Sequence, residues 1–218
     1  YSIDFDAAAE AQTFAAVPPT TLPPSPFSIA VPAGAVPGSY NATPRIINSG
    51  TTCFTSYPIT VTVFANPTIT LGANPQVCSG TTCANLTYSA TTANQYSIDF
   101  NAAAETAGFA DVALTALAAA PSQIVITVPG AAAPATYNAD LTIRNSVTTC
   151  TTVVPIQVII NPLPTIAAVV DPQICLGATT ATLSYGATTN SPNQFSLDFD
   201  AAAQAAGFVD VTNAAFAP

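Results

Sequence analysis

One phrase is written three times, as YSIDFDAAAEA from Tyr1, YSIDFNAAAETAGF from Tyr96 and FSLDFDAAAQAAGF from Phe195. The first two copies start 95 residues apart and the last two 99 apart, while a second phrase, SYNATPRIIN at Ser39, returns as TYNADLTIRN at Thr136 after 97. Stacked solenoid units recur every ~20–50 residues and cannot fold singly, whereas ~100 residues is the size of one immunoglobulin-like sandwich. The period is therefore that of a domain. The 218 residues divide into the C-terminal part of a first repeat (1–65), a complete repeat (66–161) and the N-terminal part of a third (162–218). Because the phrase falls in the middle of a repeat, the chain is expected to belong to a longer polypeptide.

Within the complete repeat, turn signals arrive every ten residues or so, the rhythm of a β-sandwich. Six strands are expected: PTITLGA from Pro67, ANLTYSATT from Ala84, QYSIDF from Gln95, QIVITVP from Gln123, TYNADLTIRN from Thr136 and VVPIQVIIN from Val153. Alternation assigns Leu86, Tyr88 and Ala90 to one inward face, and Tyr96, Ile98 and Phe100 to another. After the third strand an Ala run predicts one or two helical turns in place of a regular strand. Asp6, Asn101 and Asp200 are placed to cap that helix and Gly108 to stop it. In the first repeat the following loop is Pro-rich and is expected to be extended. Tyr40 and Tyr137 open the penultimate strand, where a tyrosine corner and an ordinary core tyrosine both fit. The fold class is all-β: tandem immunoglobulin-like sandwiches with a short helical insertion after the third strand.

Composition removes several function classes. With 2 Lys+Arg against 11 Asp+Glu the net charge is −9, and no basic patch can form to neutralise phosphates, so nucleic acid and anionic lipid are not electrostatic partners. The absence of His removes the commonest general base and every Ser-His or Cys-His dyad. Only 6% of residues are charged, and a surface of Thr, Ser, Asn and Ala suits a secreted molecule that packs against its neighbours. No apolar run is long enough to span a bilayer.

The D-F-D/N pairs are the candidate chemistry. Asp4 with Asp6, Asp99 with Asn101, and Asp198 with Asp200 each lie on the polar face of a strand, where hard oxygen ligands for calcium would converge. Glu10, Glu105 or Gln204 follows four residues further on. The second acid becomes Asn in one copy and the trailing Glu becomes Gln in another, so oxygen count and charge drift; a helix cap beside a solvated face explains the pattern better. Paired carboxylates also suit glycoside hydrolysis, but three tandem dyads with no aromatic sugar platform do not make an enzyme. No catalytic or cofactor residue is assigned.

Five cysteines remain: Cys53, Cys78, Cys83, Cys150 and Cys175. Cys53 and Cys150 are equivalent across repeats, as are Cys78 and Cys175. In a secreted protein they read as disulfide partners. One pairing is Cys78 with Cys150 within a repeat. Another follows from sandwich geometry, which puts the first turn and last hairpin at opposite ends, so that the first turn of one repeat bonds the last hairpin of the next. Cys83, whose place in the third repeat is taken by Thr180, also allows a local bond to Cys78. Spacing alone leaves these open.

The phrases NPTITLGANPQVCSGTT, YSIDFDAAAEA, VPAGAVPGSYNAT and NSGTTC resemble the tandem PKD-like or immunoglobulin-like repeats of giant cell-surface proteins of gliding Bacteroidota, of the gliding-motility adhesin type. The resemblance implies an extracellular, cell-surface filament or adhesin exported by type IX secretion, with self-association between repeats or chains. The alternative is a module whose loops grip surface glycans.

Overall fold

The structure is a computed structural model that describes residues 1–167 and 169–215. Ala168 and residues 216–218, which belong to the third expected segment, lie outside the described residues. The first segment holds β1 (Ser2–Phe5), α1 (Ala7–Glu10), β2 (Gly38–Ile47), β3 (Phe54–Ser56) and β4 (Ile59–Val63). The second holds β5 (Ile69–Leu71), β6 (Gln76–Cys78), β7 (Cys83–Thr91), β8 (Gln95–Phe100), α2 (Ala102–Thr106), β9 (Val112–Ala116), β10 (Ser122–Thr127), β11 (Ala135–Arg144) and β12 (Thr151–Asn161). The third holds β13 (Thr165–Ile166), β14 (Thr188–Thr189), β15 (Gln194–Leu197), α3 (Ala201–Ala205) and β16 (Val211–Ala215). The chain is all-β, in several sheets, with a short helix in each segment.

In the second segment β10-β7-β5 form a three-stranded sheet and β6-β12-β11-β8-β9 a five-stranded one. Period-two alternation decides which side chains go inward. On β11, Tyr137, Ala139, Leu141 and Ile143 are buried while Thr136, Asn138 and Asp140 stay outside. Leu86 and Tyr88 of β7, Ile124 and Ile126 of β10, Ile98 of β8, and Ile156 and Val158 of β12 join one hydrophobic cluster, to which both sheets contribute. Tyr96 is only half-buried, packed at the edge of this cluster.

All six expected strands of the complete repeat are present, and two more were not foreseen. β6 is a three-residue strand that pairs in parallel with the end of β12, matching Gln76 to Ile159 and Cys78 to Asn161. β9 follows α2 and pairs with β8, so the Ala-rich stretch gives a helical turn and then a strand, not a helix in place of one. Ala90 is exposed, against the expected alternation. The β5–β7 register explains it: Leu71 pairs with Tyr88 and Thr70 with Ala90, and the residue skipped at this bulge reverses the facing of the strand end.

In the first segment β2 pairs with β1, β3 and β4. The Pro-rich loop after α1 holds turns and bends but no strand or further helix, and Pro18 and Pro19 reduce the counterpart of the β8–β9 pairing to one bridge, Ile3 to Val17. In the third segment Leu183 is 42% exposed, whereas its counterpart Leu86 is 0% exposed in the complete repeat. The described residues of the third segment include no equivalent of β10, the sheet neighbour of β7, or of β11 and β12 in the facing sheet.

Candidate functional site

The acid-bearing phrase folds the same way three times, as a strand running straight into a helix. Asp6 Oδ1 accepts from the Ala9 amide at 2.9 Å, Asn101 Oδ1 from Ala104 at 2.9 Å and Asp200 Oδ1 from Ala203 at 2.8 Å. Each satisfies a free donor of the first helical turn. The hydrogen bond from Ala9, with help from Asn41, holds the Asp6 carboxyl below the usual carboxylate range. Asn101 makes the same cap without a charge. This accounts for the tolerance of Asp or Asn at the second position of the pair.

The other candidate acids do not converge. Asp4 and Asp99 are exposed on their strands, and Asp198 is exposed just past the end of β15. Asp99 lies opposite Asp140 in register, while Asp4 lies opposite Thr43. Among the described residues no three Asp, Glu, Cys or His groups come together as a cation would need. What surrounds the caps is a hydrogen-bond ladder on the solvent side of the sheet. In the first repeat Asn41 Nδ2 donates to Asp6 Oδ2 at 3.1 Å and Thr60 Oγ1 donates to Asn41 Oδ1 at 3.0 Å. In the second, Gln157 Nε2 donates to Asn138 Oδ1 at 3.0 Å. Of the polar side chains along an open groove here, Asn74, Gln157 and Asn138 are already bonded to one another, while Asp99, Asn101 and Asp140 also line it.

The inward side of the phrase has a partner that sequence reasoning missed. A phenylalanine follows the strand's own phenylalanine after nine residues in every copy: Phe5 and Phe14, Phe100 and Phe109, Phe199 and Phe208. The ring centroids of these pairs are 5.2, 4.9 and 5.1 Å apart. Phe14 then meets Tyr40 at 4.8 Å, and Phe109 meets Tyr137 at 4.8 Å. The tyrosine hydroxyls reach back four residues, Tyr40 to the Val36 carbonyl at 2.6 Å and Tyr137 to the Ala133 carbonyl at 2.7 Å. Both tyrosines therefore close a loop onto the backbone as well as filling the core. The constant spacing of nine was the signal for this stack. Asp111 and Asp210 were also missed: each accepts from the amide of the strand phenylalanine, Phe100 at 2.8 Å and Phe199 at 2.9 Å. The shared F-x-D-V wording around them was the clue.

All five cysteines carry free thiols. Cys150 directly precedes β12, whereas Cys78 is the register partner of Asn161, the last residue of that strand. Eleven residues of strand at ~3.3 Å each separate them by roughly 36 Å, against the ~4.4–6.8 Å between Cα atoms that a disulfide spans. The pairing of Cys78 with Cys150 inside one repeat is thereby ruled out. Each instead flanks a linker. Thr152, two residues after Cys150, donates through Oγ1 to the Pro67 carbonyl at 2.7 Å, and Ser79, next to Cys78, donates its amide to the Asn161 carbonyl at 2.9 Å. Cys83 begins β7 and is exposed, a turn away from Cys78.

Compared with protein families and with curated proteins, the chain matches none of either.

Proposed function

We propose that the chain is a load-bearing stretch of an extracellular filament or cell-surface adhesin, made of tandem immunoglobulin-like sandwiches that span distance and present surface. Two sheets contributing to one core, and a tyrosine hydroxyl closing the loop before the penultimate strand in both copies, support the sandwich reading. The observation that carries the functional reading is the course of β12. The chain comes into the complete repeat at Pro67, beside the start of this strand, and leaves from its far end at Asn161. A domain whose two connections lie at opposite ends of its longest strand is suited to stand in series with its neighbours. Asn66-Pro67 and Asn161-Pro162 are short linkers in which proline limits bending. The sequence resemblance adds the setting, the surface of gliding Bacteroidota reached by type IX secretion, and the partners, neighbouring repeats or chains. No catalytic role belongs to this reading: the second residue of each pair caps a helix, and the first lies exposed.

A glycan-binding module is the second reading, and the open polar groove beside Asn101 and Asp140 favours it. It ranks lower because Asn138 and Gln157 within that groove already bond to each other. Negative-stain microscopy of the native material separates the two. Long, regular rods are expected; limp strings or discrete particles would overturn the filament.

A further inference from the structure

The geometry points to a covalent staple between successive repeats: the cysteine at the Cys78 position of one repeat bonds the cysteine at the Cys150 position of the next, across the linker. The inference rests on the tandem-filament reading and adds a chemical bond to it. Three observations carry it. The two positions lie at opposite ends of the repeat, so neither can reach the other within it. Each lies beside the linker at its own end, so the Cys78 end of one repeat adjoins the Cys150 end of the following one. Each is presented by a turn that returns in the neighbouring copy. Gly80 and Gly177, two residues past Cys78 and Cys175, have φ of +88° and +93°, and Thr52 and Thr149, just before Cys53 and Cys150, both have φ of +61°.

Applied to this chain, the pairing rule matches none of the five thiols to another. Cys150 would take the Cys78 counterpart of the first repeat, about 20 positions before Tyr1 at the ~97-residue spacing of the copies, a domain-length period. Cys78 would take the Cys150 counterpart of the third repeat, beyond position 218. Cys53 and Cys175 call on further repeats in the same way. Bond formation joins two thiols as one disulfide and releases two protons and two electrons. The electrons pass to a disulfide-bearing thiol oxidant of the extracytoplasmic compartment, which leaves as a dithiol.

The staple reroutes tension. From Cys150 the chain runs 25 residues to Cys175, along the length of β12, across the linker and into the following repeat, before meeting the next staple. The 72 residues from Cys78 to Cys150 then lie outside the load path.

Peptide mapping of the full-length native protein, alkylated and digested without reductant, tests this. The NSVTTCTTV and NSGTTCFTS contexts, and ANPQVCSG and VDPQICLG, identify which repeat each peptide comes from. The expected product links each Cys150-type peptide to the Cys78-type peptide of the repeat before it. A Cys78–Cys83 loop, alkylated thiols at both positions, or a bond within one repeat would overturn the staple. If rods are seen by microscopy but the cross-linked peptide is missing, the staple fails while the filament stands.

Discussion

At the residue scale, the position after each short helix shows how repeats drift without losing their fold. The chain must turn left-handed there so that the following phenylalanine can bond back into the helix. Gly108 and Gly207 do so at φ of +98°, and Thr13 occupies the same slot in the first repeat at φ of +65°. The bond that follows is kept, from Phe14 to Ala9 at 3.2 Å and from Phe109 to Ala104 at 3.1 Å. A left-handed conformation costs an L-residue about 1–2 kcal/mol, and glycine's extra chain entropy costs about 0.5–1 kcal/mol. Thr13→Gly is therefore expected to stabilise this corner by about 0.5–1 kcal/mol, the difference of those terms. Hydrogen exchange at the Phe14 amide reads it directly: slower exchange in the variant agrees, and faster exchange contradicts the strain assigned to Thr13.

At the element scale, the caps of α1 and α2 differ in charge. Asp6 has its folded pKa lowered from 3.8, chiefly by the Ala9 amide. Its cap therefore favours the folded state above the ordinary carboxylate range, and the contribution disappears as pH falls through the lowered value. Asn101 does not titrate. Acidification is expected to loosen α1 while leaving α2 capped, seen as faster exchange at Ala9 with Ala104 unchanged relative to its neighbours; parallel loss at both amides would contradict the account. The caps were legible in the sequence because Asp or Asn before an Ala run has one local meaning. The six long strands were legible because alternation is local too. β6 was not, since three residues carry no period and the strand is defined by its partner, the end of β12. Ala90 was misread because a bulge is a property of the β5–β7 pair, not of either strand.

The edge of β12 belongs to the same scale. An exposed strand edge with few charges invites pairing with another chain, and lateral contact through such edges was a natural expectation. Here Pro155 lacks a donor, the Gln157 amide donates to Asn74 Oδ1 at 3.1 Å, and the Ile159 amide donates to the Pro75 carbonyl at 3.0 Å. This edge is guarded. In the proposed filament, lateral contacts through this part of β12 are therefore not expected.

At the scale of the whole molecule, the phrase that most resembles an active site is a corner brace. The second residue of its acid pair caps a helix, its aliphatic side faces the core, and its phenylalanine stacks through a second one onto the corner tyrosine. That stack was only half legible. Each phenylalanine and tyrosine reads as a core residue, but their contact joins strands separated by the loop that differs most between copies. The cysteine positions were legible as types and ambiguous as pairs until the register of β6 against β12 put them at opposite ends. The central claim is that the repeats stand end to end along β12. That strand has 11 residues, roughly 36 Å at ~3.3 Å per residue, which sets the length of one repeat along the filament. Cryo-electron microscopy of the native filament measures this spacing most directly. An axial period of about 35–45 Å, one strand length plus a short linker, is the result the account predicts, and filaments without any period in that range would contradict it.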